Sequence, residues 1–410
     1  MSRFYFLLVF VLIYLLLDFY VFQIVKSLSE ENSGFWRKFW PLLYWGLSII
    51  ALFGVLLYNQ LDPHVFKSLR LFLLSFFFIN LVAKLFSAIV IGIDDLRRGM
   101  MWLSHNFFPP EPPVDYSRSD FLKKTALVAG AVPLVTISFG IISGAHDYRI
   151  RRRIIQSPNL PKAFDGLRIG QLSDIHTGSF FNKTAVKGGV DLLMAEKVDL
   201  VCFTGDLVNY ESQEAQEYLD IFKSLSAPLG VYAVMGNHDY GDYRSWESAK
   251  AKRDDIANLH DMHRYMGWDL LLNENRRIEV EGEAIGLLGC ENWGRGRFSK
   301  YGDMSKTYSG MEDLPFKVLM SHDPSHWDAQ ILKDYKDIDL TLSGHTHGMQ
   351  FGVEIGNFRW SPAKYIYKQW ADLYAEENQY LYVNRGFGFI GYPGRIGILP
   401  EITVLELKSV

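Results

Sequence analysis

Cysteine is nearly absent. The 410 residues hold two, Cys202 and Cys290. They are too few for a disulfide framework and too far apart for a CxxC metal pair, so disulfide-stapled scaffolds and zinc-ribbon sites are excluded. They read as small buried hydrophobes. A strong charge of either sign is missing too: 42 Lys and Arg face 46 Asp and Glu, for a net charge of -4. That balance gives no electrostatic pull toward nucleic acid. No internal repeat is present. Charge is scarcest at the start, where residues 1–148 carry 12 of the basic and 10 of the acidic side chains.

Long apolar runs take its place. "FYFLLVFVLIYLLLDFYVFQIV" (4–25), "WPLLYWGLSIIALFGVLLY" (40–58), "LFLLSFFFINLVAKLFSAIVIGI" (71–93) and "TALVAGAVPLVTISFGIISGA" (125–145) are each of bilayer-crossing length, which takes about 20 residues. The first is too long for a signal-peptide core and lacks a small-residue cleavage site. Pro133 and the glycines of the fourth are tolerated in membrane helices. The sequence therefore predicts a transmembrane region over 1–148 with four spans, making a multi-pass membrane protein.

Two ionisable residues, Asp18 and Lys84, fall inside these runs. Intramembrane charge is costly and normally paired. Spans one and three run in the same direction, and the two residues sit at similar depths, which predicts an ion pair. A proton or substrate path is the other reading.

Basic residues follow span one (Lys26, Arg37, Lys38) and span three (Arg97, Arg98, Arg118, Lys123, Lys124), and these loops favour the cytoplasm. Arg149, Arg151, Arg152 and Arg153 follow span four, on the opposite side. "SRSDFLKKTALVAGA" (117–131) is similar to a twin-arginine export signal, with Ser119 where a second arginine would stand. The balance leans toward an extracytoplasmic C-terminal domain. A proline-rich connector, "FFPPEPPVDY" (107–116), separates spans three and four.

From about 165 the pattern alternates. "LRIGQLSD" (167–174), "VDLVCFTGDLVN" (198–209), "GVYAVMGNHD" (230–239), "FKVLMSHDP" (316–324) and "IDLTLSGHTHG" (338–348) are buried-strand runs that end in polar residues. Helical patterns fall at 183–197, 212–225 and 243–266. A hairpin is expected at 276–290 and strands at 379–388 and 401–408. Alternation of this kind predicts an α/β domain over 160–410, with helices outside two sheets.

The chemistry-bearing residues gather just past the strand ends, where ligands collect in open α/β sheets. They are Asp174 and His176, then Asp206, then Asn237 and His238, then His322, then His345 and His347. An i, i+2 pair on extended chain puts both side chains on one face, and Gly344 and Gly348 let the backbone bend. Mixed oxygen and nitrogen donors without thiolate suit Mn, Fe or Zn. Asn209 reads as a turn residue, Phe180 and Phe181 as packing residues, and "CENWGRG" (290–296) as a loop.

The set "DIH" (174–176), "GDLVN" (205–209), "GNHD" (236–239), "SHDP" (321–324) and "GHTHG" (344–348) resembles the calcineurin-like metallophosphoesterase superfamily, most of all its membrane-associated bacterial branch of exported phosphodiesterases. "NRGFGFIGYPGRIGILPEITVLEL" (384–407) resembles that branch as well. The likeness covers about 165–408 and leaves the spans unexplained. It implies a four-layer αββα sandwich with two divalent metal ions. Asp174, His176 and His347 would bind one, Asn237, His322 and His345 the other, and Asp206 would bridge. His238, oriented by Asp239, would be the general acid as a metal-bound hydroxide attacks phosphorus. The implied activity is hydrolysis of phosphodiesters or phosphomonoesters beside a membrane, with lipids and envelope components among the candidate substrates. Weighed against it are a pyrophosphate hydrolase of lipid-linked nucleotide sugars on the cytoplasmic face, a sensor that binds without cutting, and a transporter built on the spans.

Overall fold

The structure is a computed structural model that describes residues 3–58, 60–62, 65–107, 119–296, 298–356 and 358–410. Most of the proline-rich connector, and the first two residues of the export-signal-like stretch, lie outside the described residues. The chain divides into two compact units, Met1–Phe139 and Gly140–Val410.

Among the described residues the first unit holds four helices: α1 (Arg3–Glu30), α2 (Phe35–Tyr58), α3 (Lys67–Phe107) and α4 (Asp120–Ile142), whose last turn belongs to the second unit. Each is long and apolar enough to cross a membrane. Leu42, Phe53, Ile89 and Val135 are all exposed, an outward apolar surface that suits lipid and not water. α3 continues well beyond the apolar run expected at 71–93. Two i, i+3 pairs, Arg97 with Asp94 and Arg98 with Asp95, support its charged extension.

Asp18 and Lys84 are both buried and form the ion pair expected from their matched depths. Lys84 Nζ also donates to Ser48 Oγ at 2.7 Å and to Tyr14 OH at 3.2 Å. Ser48 Oγ and Tyr44 OH each donate to Asp18 Oδ1 at 3.1 Å. Three helices thus meet around one charge pair.

In the second unit, one six-stranded sheet has the spatial order β1 (Arg149–Ser157), β14 (Glu401–Ser409), β2 (Arg168–Leu172), β3 (Leu200–Phe203), β4 (Val231–Ala233), β5 (Asp269–Leu270). The other runs β12 (Asp372–Glu376), β13 (Gln379–Val383), β9 (Leu340–Ser343), β8 (Lys317–Met320), β7 (Glu283–Gly289), β6 (Glu274–Val280). A separate two-stranded hairpin joins β10 (Val353–Ile355) to β11 (Phe358–Trp360). The two large sheets face each other across a core of Ile169, Leu200, Cys202 and Leu405 against Leu287, Val318 and Leu340. Outside the first sheet lie α5 (Lys183–Ala195), α6 (Leu219–Phe222) and α7 (Ala249–Met266), whose Val190, Phe222 and Leu259 pack on Val201 and Phe203. Trp327 and Ile331 cover the outer face of the second sheet. The αββα layering expected from the family resemblance is present.

Three local expectations change. β1 precedes residue 160, where the domain was expected to begin, and pairs in parallel with β14 over all nine of its residues. The helix expected at 212–225 is a 3-10 turn followed by the short α6, and the Asp255 carboxylate accepts the backbone N–H and hydroxyl of Ser212 at its start. The helix expected at 243–266 starts at Ala249, where Ser248 caps it by accepting from Ala251 N–H.

The buried pair yields a direct prediction. Reversing either Asp18 or Lys84 alone strands a buried charge, a loss of about 3–5 kcal/mol. The Asp18→Lys, Lys84→Asp double exchange should regain part of it, read as the melting temperature of the detergent-purified protein. A double exchange no better than the singles would reject pairing as the reason for the two charges.

Candidate metal centre

Strands β2, β3 and β4 are parallel to one another, and so are β7, β8 and β9. The loops leaving β2, β3, β4, β8 and β9 converge. They do so on bent, not extended, backbone. Asp174, His176, Asp206, His345 and His347 have φ of 52°, 50°, 62°, 70° and 50°, left-handed values that cost an L-residue about 1–2 kcal/mol each. The extended i, i+2 geometry expected for the two motif pairs is therefore replaced by left-handed turns. Gly344 sits so close to Asp174 that a Cβ would overlap its carboxylate.

The turns send the two histidines of GHTHG to different places. His347 joins Asp174 and His176, and His345 joins Asp206 and His322. In the first group His347 Nε2 lies 3.1 Å from both His176 Nε2 and Asp174 Oδ1. In the second, His322 Nε2 is 3.1 Å from Asp206 Oδ2, and His345 Nδ1 is 2.8 Å from Asn237 Oδ1. Asp206 Oδ2 also stands 3.5 Å from His176 Nε2, between the groups.

The protonation pattern is that of a cation site. His176 Nδ1 faces the Val208 carbonyl at 3.2 Å and His322 Nδ1 the Thr204 carbonyl at 2.7 Å. Carbonyls only accept, so each Nδ1 carries its hydrogen; the neutral His176 ring then turns its Nε2 lone pair inward, and His322 Nε2 faces Asp206 with a proton that a cation would displace. Burial lowers the His176 pKa to about 3, keeping it neutral. Burial works against a charged His322 too, yet Asp206 raises its pKa to about 10. Burial alone would raise Asp206, but the His322 and His238 rings hold it well below the usual carboxylate range. Positive charge is what these atoms have in common as a requirement, and a hard divalent ion supplies it. The residues present fit such ions.

Two sequence-derived roles change. Asp239 was expected to orient His238, but its carboxylate instead accepts backbone N–H groups from Asp206, Leu207, Val208 and Gly236 at 2.8–3.2 Å. It ties the β3 loop to the β4 loop. Burial, with the nearby Asp206 charge, pushes its pKa up to about 7. His238 Nδ1 is held by the carbonyl of Asn209 at 2.8 Å, so the residue read as a turn former orients the ring. His238 N–H donates to Asp206 Oδ1 at 2.9 Å.

Tyr367 had no sequence signal. Its hydroxyl lies 2.8 Å from His345 Nε2. Tyr243 takes a bond from Asn237 Nδ2 at 2.9 Å, and its ring lies 4.5 Å from that of His238. Arg395 Nη2 stands 3.2 Å from His347 Nδ1. Phe180 is buried and Phe181 partly exposed. The 290–296 loop passes close by, with Gly294 against Asp323.

Comparison with known proteins agrees with this geometry. Residues 167–349 match the family profile described as calcineurin-like phosphoesterase. Residues 2–145 match one described as probable calcineurin-like phosphoesterase, transmembrane domain. The chain is 31% identical over 299 residues to the uncharacterized metallophosphoesterase YkuE of Bacillus subtilis, covering 72% of this chain and 98% of that protein. It is 28% identical over 297 residues to a transmembrane protein with metallophosphoesterase domain of Danio rerio, covering 70% and 63%. It is also 28% identical over 281 residues to the UDP-2,3-diacylglucosamine pyrophosphatase LpxG of Chlamydia trachomatis, covering 56% and 81%.

When an ion takes the His345 Nδ1 lone pair, its Nε2 carries the hydrogen, and the Tyr367 oxygen would accept it. Tyr367→Phe should therefore weaken one of two metal-binding events by roughly 10–100-fold and leave the other in place. Titration against a chromogenic chelator measures this. Two unchanged binding steps would remove Tyr367 from metal binding.

Proposed function

The chain belongs to the calcineurin-like phosphoesterases, and from that premise we propose that it hydrolyses phosphodiester bonds, with phosphomonoesters as the second ester class, at a membrane. The observation that carries this reading is the convergence of buried carboxylate oxygens and inward imidazole nitrogens at five strand ends. Asp174, His176 and His347 would hold one divalent ion, and Asn237, His322 and His345 a second, with Asp206 between them. Manganese, iron and zinc all suit these donors. When bound, two such ions supply Lewis acidity toward a phosphoryl group and activation of water.

The remaining work falls to the protein. His238 is fastened at Nδ1 by Asn209 and at its backbone by Asp206. Its Nε2 makes no hydrogen bond among the described residues, which leaves that atom to pass a proton to the departing oxygen. Asp239 keeps the Asp206 and His238 loops in register. The resemblance to LpxG, named as a pyrophosphatase, supports a pyrophosphate diester of a lipid-linked nucleotide as the alternative substrate.

We also read the phosphoesterase unit as extracytoplasmic. Lys26 near the end of α1, Arg37 and Lys38 at the start of α2, and Lys123 and Lys124 ahead of the fourth span's apolar stretch mark those connections as cytoplasmic. Arg151, Arg152 and Arg153 do not oppose this. They lie in β1 and pair with Glu354, Glu196 and Asp372, and folded domains cross membranes largely regardless of charge. A C-terminal alkaline phosphatase fusion should be active in cells, and an inactive, stably expressed fusion would reverse the orientation.

The catalytic reading is checked with full-length protein in detergent, Mn²⁺, and bis-p-nitrophenyl phosphate beside p-nitrophenyl phosphate. Turnover should favour the diester and vanish in Asp206→Ala. His238→Ala should cost about 10²–10⁴-fold on an alkyl ester, and less on p-nitrophenyl esters, whose leaving group needs no proton. An equal loss on both would take proton donation away from His238.

A further inference from the structure

The β10–β11 hairpin is built inside out. Its cross-strand partners are Val353 with Trp360, Glu354 with Arg359, and Ile355 with Phe358. Directly opposed residues share a face, and successive residues alternate faces. One face is therefore Val353, Ile355, Phe358 and Trp360, and the other is Glu354 and Arg359. In a water-soluble hairpin the charged face would look outward. Here it looks inward: Glu354 Oε1 accepts from the buried Arg385 at 2.7 Å, and Arg359 pairs with Asp372 at 2.9 Å. The apolar face is the outer one, with Ile355 73% and Phe358 62% exposed. The turn that follows adds Tyr365 at 73% and Ile366 at 67% exposure, flanked by exposed Lys364 and Lys368.

Within its own unit the hairpin is also tied, through residues 392–396, to Gly140, where that unit begins. Gly352 N–H donates to the Ile396 carbonyl at 2.9 Å, and Ile396 N–H returns to Gln350 at 2.8 Å. Gln350 Nε2 bonds the Tyr392 and Gly394 carbonyls at 2.8 and 3.0 Å. The neighbouring Arg395 N–H donates to the Gly140 carbonyl at 3.1 Å, in the last turn of α4.

We propose that the outer face of this hairpin and its following turn, centred on Ile355, Phe358, Tyr365 and Ile366, is a docking surface for the lipid bilayer that holds the chain's own spans. Aromatic and aliphatic side chains beside lysines are the composition that settles at the headgroup boundary. An exposed apolar patch of this kind marks an interaction site, and the membrane-length helix α4 continues directly into this unit at Gly140. Ile366 adjoins Tyr367, which bonds His345. Docking would thus hold the metal centre at headgroup depth, a consequence that rests on the phosphoesterase reading, whereas the docking itself does not.

The test needs no turnover. Cys202 and Cys290 are buried, so single cysteines introduced as Ile355→Cys, Phe358→Cys and, as control, Glu279→Cys can each be labelled with an environment-sensitive dye in the full chain. Glu279 is exposed and lies opposite Ala284 near the start of β7, at the sheet end away from the metal centre. The proteins are reconstituted in phosphatidylcholine–phosphatidylglycerol vesicles with and without lipid nitroxide-labelled near the headgroup. Quenching at 355 and 358 several-fold above that at 279 is the expected result. Quenching equal to the control at both positions overturns the proposal. Blue-shifted emission without nitroxide quenching overturns it too, and assigns the face to a protein or a second copy of the chain.

Discussion

Atoms that repel one another are held together at the heart of the phosphoesterase unit, and the surrounding loops exist to keep them there. Four imidazoles and two carboxylates crowd into a pocket nearly closed to water. Five of the residues involved carry left-handed backbone. At about 1 kcal/mol or more each, that strain is comparable with the lower end of a domain's net stability of about 5–15 kcal/mol. It persists because neighbouring groups oppose relaxation. His345 N–H is bound by both oxygens of Asp174, and Asp239 gathers four backbone N–H groups. The carboxylates that face the centre also lock the loops that carry it, so bound cations and the loop conformations stabilise each other.

The same rule for buried charge orders the parts of the chain that do no chemistry. In the helical unit Asp18 is met by Lys84, Ser48 and Tyr44 on different helices, giving otherwise interchangeable apolar surfaces a defined mutual arrangement. Between the sheets the buried Arg385 is satisfied by Glu401 at 2.6 Å and by Glu354. That second partner turns the β10–β11 hairpin over. Because Glu354 must reach inward, Ile355 and Phe358 must point out, and a demand set in the core becomes an apolar outer surface.

Much of this was legible in the chain. Apolar runs of bilayer length announced the four helices, and Asp18 and Lys84 announced a pair because matched depth left each the other's natural partner. The five motifs announced the centre because each ends a buried-strand run. The reading went astray where a side chain answers to distant backbone. Asp239 stands next to His238 in sequence, yet it serves the β3 loop, and the carbonyl of Asn209 does the orienting. Tyr367 lies 22 residues from His345 with nothing in its spacing to connect them. β1, read from its arginines as a basic flank, is a strand whose charges are taken up by Glu354, Glu196 and Asp372.

The two-part plan, the layered α/β class and the donor types of the centre can be read off the chain, because hydrophobic period, run length and ligand chemistry are properties of local residues. Which histidine joins which cluster, what holds His238, and which face of the hairpin looks out are fixed when the chain folds. Those outcomes depend on left-handed turns and on hydrogen bonds between segments far apart in the chain, and they are set by where partners meet in space.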